Sequence, residues 1–189
     1  MSKLIIISGP SGVGKSTVVK YLLKRLKNSE RTITFTTRSP RSKERNDVDY
    51  HFTDVKTFFK MKGDKQLAEW AKVYEHYYGT PKQQINNALK NNKNIIATVN
   101  VQGMKNLKKL YGQRAISIWI NPEFPDKLAA RLLRRTTVRK EETASRIRAL
   151  RKEMEYGKLY DCQITNYEDN LPKTIASLLT ILRKTARIA

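Results

Sequence analysis

The run Gly9-Pro10-Ser11-Gly12-Val13-Gly14-Lys15-Ser16 carries the plainest chemistry in the sequence. Its glycines let the backbone turn tightly and aim N–H groups inward, where they can hold a phosphate. The lysine that follows suits β- and γ-phosphates, and the next residue offers a hydroxyl for Mg2+. The spacing is a complete G-x-x-x-x-G-K-[ST] loop. Such a loop needs a strand to deliver it and a helix to leave it, because the helix N-terminus adds its positive end to the cradle. Both are expected here. Residues 4–7 form a continuous apolar run that reads as a strand buried on both faces, and residues 16–26 repeat apolar side chains at helical spacing.

The rest of the chain alternates short apolar strands with helices, the pattern of an α/β fold. Strands are expected at 32–37, 67–73, 95–99, 115–120 and 162–165. Helices are expected at 54–62, 125–133, 141–156 and 171–187. Thr80-Pro81 reads as an N-cap followed by proline at the first helical position, opening a helix that runs to about Lys90. Residues 38–46 are polar and basic, hold Pro40, and read as a loop.

A length of 189 residues suits one compact domain, and 39% hydrophobic with 29% charged residues excludes a disordered chain. No stretch approaches the roughly 18–20 apolar residues of a membrane span, so no membrane partner is expected. The single cysteine, Cys162, excludes an internal disulfide and any multi-cysteine zinc site. Residues 1–8 run directly into the glycine turn and read as too short for a signal peptide, which makes a cytoplasmic location the expectation. Lys and Arg total 38 against 17 Asp and Glu, a net charge of +21. That field is compatible with non-specific polyanion binding. No nucleic-acid motif accompanies it, so no specific nucleic-acid partner is expected. His51 and His76 lack partner spacing for a metal or a nucleophile and read as structural.

Beyond the loop, five short runs follow in order: Thr36-Thr37-Arg38-Ser39-Pro40-Arg41, Asp49-Tyr50-His51-Phe52, Glu69-Trp70-Ala71, Tyr77-Tyr78-Gly79-Thr80 and Val101-Gln102-Gly103. With the loop, this series resembles the guanylate kinases, which move the γ-phosphate of ATP to GMP. The resemblance covers nearly the whole chain, from about Lys3 to the last helix. It implies a P-loop NTPase fold: a parallel core sheet flanked by helices, with a GMP-binding insertion and an arginine-rich lid. The corresponding organisation is a single domain over 1–189. Its core is 1–33, 80–131 and 143–189, its acceptor subdomain 34–79 and its lid 132–142.

Arginine forks suit a phosphate monoester better than lysine does, and tyrosine hydroxyls can donate to the same oxygens. The resemblance implies that Arg38, Arg41, Tyr50 and Tyr78 hold the GMP phosphate. By the same resemblance Thr34, Glu69 and Thr80 read guanine, the carboxylate accepting from N1 and the exocyclic amine, and Asn100 falls among the GMP-binding positions. Gly9, Ser11, Gly12, Val13, Gly14, Lys15, Ser16 and Thr17, with Arg131 and Asn166, match the ATP site. Ser16 is the implied protein ligand of Mg2+, which accompanies ATP. Lys15, Arg38, Arg135 and Arg146 match catalytic positions. The last two belong to an arginine-dense stretch, 131–151, whose closure would place positive charge at the transferring group and exclude water. Arg134, Thr136 and Lys140 replace residues that are commonly Gly, Gly and acidic in the family, which implies a stiffer and more basic hinge.

Three further departures bear on activity. Phe35 stands where the family usually has a small or polar residue. Thr98-Val99-Asn100 stands where it has Asp-Ile-Asp. Thr98 can bond a metal-bound water but brings no negative charge, and Asn100 keeps the shape of an aspartate without its charge. The first reading is an enzyme that phosphorylates GMP and dGMP from ATP, as a monomer or a homodimer. The alternative raised by Thr98 and Asn100 is a catalytically weak or inactive guanylate-kinase-like domain that binds nucleotide or protein. The intact Gly14-Lys15-Ser16 counts against that alternative.

Overall fold

A computed structural model describes residues 2–73, 75–128 and 153–186. Its elements in chain order are β1 (Leu4–Ser8), α1 (Lys15–Arg25), β2 (Ser29–Arg31), β3 (Phe35–Thr36), β4 (His51–Phe52), α2 (Val55–Gly63), β5 (Leu67–Val73), β6 (His76–Pro81), α3 (Lys82–Lys90), β7 (Asn94–Thr98), α4 (Val101–Tyr111), β8 (Ala115–Pro122), β9 (Cys162–Asn166) and α5 (Leu171–Ala186). The strands form two sheets. A five-stranded parallel sheet runs β2-β7-β1-β8-β9, and a four-stranded sheet runs β4-β3-β6-β5. The chain divides into two compact units, Met1–Ile6 with Asn28–Ile116, and Ile7–Lys27 with Ser117–Ala189.

Every residue of β1 is buried, as expected of a central parallel strand. In the unit of residues 28–116, β3 pairs parallel with β4 and antiparallel with β6, while β5 and β6 form an antiparallel pair. Their register sets Glu69 opposite Thr80, Ala71 opposite Tyr78, and Thr36 opposite Tyr78 on the other edge of β6. Helix α2 starts at an Asp54 cap, whose carboxylate accepts from the Thr57 N–H at 2.9 Å. It buries Phe58, which stacks on Tyr77 with ring centroids 5.6 Å apart.

Two sequence expectations are corrected. Of the strand expected at 32–37 only Phe35–Thr36 is strand, β3, and the strand before it, β2, already ends at Arg31. Ladder pairing with β7 ends at Arg31, and the Ile33 N–H is taken by the Gln84 side chain at 2.9 Å instead of by a neighbouring strand. Thr80 is not a helix cap. It lies within β6 with its side chain buried, Pro81 ends the strand and is the N-cap residue, and α3 begins at Lys82. Residues 125–128 are helical, and the remainder of the helix expected at 125–133 lies outside the described residues. So does most of 141–156, together with the whole lid expectation and Arg131, Arg134, Arg135, Thr136, Lys140 and Arg146.

Asn100 has an evident local role. It is the N-cap of α4, and its side-chain oxygen accepts from the Gly103 N–H at 2.9 Å. Asparagine and aspartate cap helices about equally well. Asn100→Ala is therefore expected to lower stability by about 1 kcal/mol, and Asn100→Asp to change it by only a few tenths, in urea unfolding at neutral pH.

Candidate active site

The phosphate loop lies in the unit that holds α1. It leaves the end of β1, the end of a parallel sheet where ligands bind. Gly14 is the N-cap of α1 with φ 94°, a left-handed conformation that a side chain would strain. A Cβ there would also stand 2.7 Å from the Asn166 amide nitrogen. Lys15 folds back over the loop, and its ammonium donates to the carbonyls of Gly9 at 2.8 Å and Pro10 at 2.9 Å. Burial lowers the Lys15 pKa to about 8, with the charge of Glu153 pulling the other way. Ser11, Gly12, Ser16 and Thr17 are exposed on the loop and the first turn of α1. Asn166 donates to the Val13 carbonyl at 2.8 Å and accepts from Thr174 at 3.1 Å, so it ties the loop to the start of α5. A cavity of about 390 Å3 opens beside the loop, lined in part by Val13, Thr17, Phe124, Asn166 and Leu171.

In the other unit the loop after β3 gathers an arginine among aromatic rings. The Arg38 guanidinium lies over the rings of Tyr50 (5.4 Å) and Phe52 (5.9 Å), and the Tyr50 and Tyr78 rings meet edge-on with centroids 6.2 Å apart. Arg38 Nη2 donates to both oxygens of Glu44, at 2.8 and 2.9 Å, and Nη1 to the Ser39 carbonyl at 2.6 Å. Burial opposes its charge, but Glu44 and the Tyr78 hydroxyl hold its pKa above the ordinary arginine value. Burial likewise pushes the Glu44 carboxyl up, but the bonds from Arg41 and Arg38 outweigh it and hold the carboxyl below its ordinary value. The same carboxylate accepts from the Arg41 backbone N–H at 2.9 Å, while the Arg41 side chain is exposed. Thr36 and Thr37 fix the approach: their hydroxyls accept from the Arg38 N–H at 3.2 Å and the Tyr77 N–H at 3.0 Å. Phe35 stacks on His51, centroids 4.6 Å apart, and His51 bonds Asp47 at 2.6 Å. Its ring thus packs within the sheet rather than among the arginines.

Glu69 sits on β5 at 6% exposure, and the Thr80 hydroxyl across the strand pair donates to one of its oxygens. Burial raises its pKa to about 7, with the hydroxyl and backbone of Thr80 pulling it down. Thr34 immediately precedes β3, where its carbonyl accepts from the His51 N–H at 2.9 Å. Thr98 is exposed at the end of β7. The structure thus gathers Arg38, Tyr50 and Tyr78 in one cluster and Glu69 and Thr80 in another.

Sequence reasoning missed Glu44, Thr36 and Thr37 as working parts of this region. Glu44 had a local signal: it follows Arg41 by three residues, the spacing at which a carboxylate caps a turn.

A phosphate loop between a parallel strand and a helix, with an arginine–tyrosine cluster and a buried carboxylate, defines a P-loop phosphotransferase. The family model described as guanylate kinase matches residues 1–185. The chain is 40% identical to a guanylate kinase of Porphyromonas gingivalis over 168 residues, covering 88% of this chain and 89% of the relative. It is 36% identical to one of Bacteroides fragilis over 97% of this chain and 89% of the relative. It is 33% identical to one of Prochlorococcus marinus over 97% and 98%. The crystal structure of guanylate kinase from Anaplasma phagocytophilum shares the fold at TM-score 0.79 and 23% identity, covering 97% of this chain and 85% of that one. The chain belongs to the guanylate kinase family, and it is an enzyme.

Two predictions follow from the perturbed groups. With a pKa near 8, about half of Lys15 is neutral at pH 8 and a bound triphosphate restores its charge, so ATP binding should take up about half a proton there. Calorimetry in buffers of different ionisation enthalpy reads this uptake, and Lys15→Met should abolish it. Glu69 titrates higher in the folded chain than in the unfolded one, so its contribution to stability is fully present in acid and is lost as pH rises through about 7. The melting temperature of the wild type relative to Glu69→Gln should accordingly fall between pH 5 and pH 8.

Proposed function

We propose that the chain transfers the γ-phosphate of ATP to GMP, and also to dGMP, giving ADP and GDP. The observation that best supports the guanine acceptor is Glu69: a buried carboxylate with one oxygen taken by Thr80 suits two adjacent N–H donors, as guanine presents at N1 and its amine. Adenine offers an acceptor at N1 and is rejected by such a group.

In this reading Arg38, Arg41, Tyr50 and Tyr78 hold the acceptor phosphate, and Glu69, Thr80 and Thr34 hold the base. Asn100 supports the site through the cap of α4. Lys15 exchanges the Gly9 and Pro10 carbonyls for the β- and γ-phosphates of ATP, and the loop N–H groups share that charge. Asn166 positions the loop, and the cavity beside it receives the nucleoside of ATP. The acceptor arrives as a phosphate dianion, so no general base is required. Arg131, Arg135 and Arg146 supply charge to the transferring group.

The donor set fits Mg2+ carried in with ATP. Among the described residues no cluster of three or more His, Cys, Asp or Glu forms a cage, whereas the exposed Ser16 hydroxyl suits an ion that takes its other ligands from phosphate and water. Bound there, Mg2+ would neutralise charge on the β- and γ-phosphates. No helix of the described residues is long and apolar enough to cross a membrane. ATP and GMP are nucleotides of the cell interior, and that is the basis for assigning the enzyme to the cytoplasm.

The test is ADP release with ATP·Mg2+ and each of GMP, dGMP, AMP, CMP and UMP. Turnover is expected with the two guanine acceptors only and should be lost in Lys15→Ala; turnover with AMP at a similar rate would overturn the reading. Thr98→Asp is expected to lower the Mg2+ concentration needed for half-maximal rate by about tenfold, the size of one charge-assisted contact.

A further inference from the structure

The roles above leave one motif unused, Val101-Gln102-Gly103. It forms the first turn of α4, the helix packed on β5. Gly103 is buried there, and a Cβ at this position would lie 2.7 Å from Oε2 of Glu69, 3.1 Å from its carboxyl carbon and 2.9 Å from Cβ of Val99. Separations below about 3.0 Å do not occur for real Cβ atoms, so either the carboxylate or the helix would have to move. Neither is free to do so cheaply. Thr80 holds the other oxygen of Glu69, and Asn100 pins the Gly103 N–H at 2.9 Å. Gly103 is not among the positive-φ residues, so the glycine is required for space and not for conformation. Helix propensity alone would favour alanine at this position.

We propose that Gly103 is a positioning residue for guanine discrimination: its missing side chain lets the first turn of α4 press against Oε2 and fix the carboxylate at the angle that accepts from the guanine amine. This inference rests on Glu69 being the guanine reader. The Thr80 hydroxyl and the Cα of Gly103 act as two stops, one on each carboxylate oxygen. A methyl at 103 rotates the carboxylate away from the amine donor while leaving the acceptor-phosphate cluster and the ATP loop untouched.

The experiment compares GMP with IMP, which lacks only the 2-amino group, in wild type, Gly103→Ala and Glu69→Gln. Gly103→Ala is expected to reduce the GMP-over-IMP ratio of kcat/KM by about fivefold or more, with the KM for ATP within about twofold of wild type. An equal loss for GMP and IMP, or no loss, would overturn the inference provided Glu69→Gln collapses the ratio. If Glu69→Gln leaves the ratio unchanged, the guanine reading itself falls and takes the inference with it. Should Gly103→Ala not fold, the wild-type chain still decides: the Gly103 amide resonance should shift at least about twice as far on saturation with GMP as with IMP, and equal shifts would overturn the proposal.

Discussion

Glu69 is a carboxylate taken out of water, with Thr80 on one of its oxygens and the first turn of α4 against the other. An ionised group buried without a partner costs several kcal/mol, so proteins either pair it or let it take up a proton. Here burial pushes the carboxyl up, and the hydroxyl and backbone of Thr80 pull it back. The outcome is a group poised near neutrality, charged only part of the time. Two N–H donors from a ligand would favour the charged form, because hydrogen bonds to a carboxylate lower its pKa. In the proposed reading, base recognition and carboxylate ionisation are one event. The β5–β6 register that sets Thr80 opposite Glu69 is what makes this possible.

The two key cations follow a related logic with different partners. Lys15 is held by neutral carbonyls of its own loop, a weak substitute for phosphate, and its pKa is depressed. Arg38 is held by a full carboxylate, both of whose oxygens accept from its Nη2. In the proposed reading Lys15 exchanges those neutral carbonyls for phosphate, whereas Arg38 keeps Glu44 and offers a phosphate only its remaining donors. The aromatic faces of Tyr50 and Phe52 restrict it further.

The phosphate loop was legible because its requirements are local: glycines, lysine and serine at fixed spacing between a strand and a helix. The helix at 54–62 and the basic loop 38–46 were legible for the same reason. What escaped was set by distant partners. The residues from 32 to 37 alternate like a strand, but Gln84 takes the Ile33 N–H and breaks the ladder. Thr80 has the spelling of a cap before proline, yet its hydroxyl serves Glu69, eleven positions away. Family resemblance marked Arg38 and Tyr78; the spacing of Glu44 from Arg41 hints at a turn cap, but its pairing with Arg38 is set by the folded loop.

The substitution of Asn100 for aspartate can now be weighed in physical terms. The cap needs an oxygen lone pair, and asparagine supplies it. What the chain gives up is a negative charge at the positive end of α4, whose first turn holds no acidic residue. A carboxylate already lies against that turn, through the contact of Glu69 with Gly103. The helix field favours the charged form of a carboxylate near its N-terminus, in opposition to burial. With aspartate at 100, two carboxylates would share that end of the helix, and their mutual repulsion would push Glu69 further toward its protonated form. Asparagine removes the competitor and leaves the helix end to the carboxylate proposed to read the base. The substitution thus removes a second negative charge from the helix end that Glu69 touches, which favours the ionised form of Glu69.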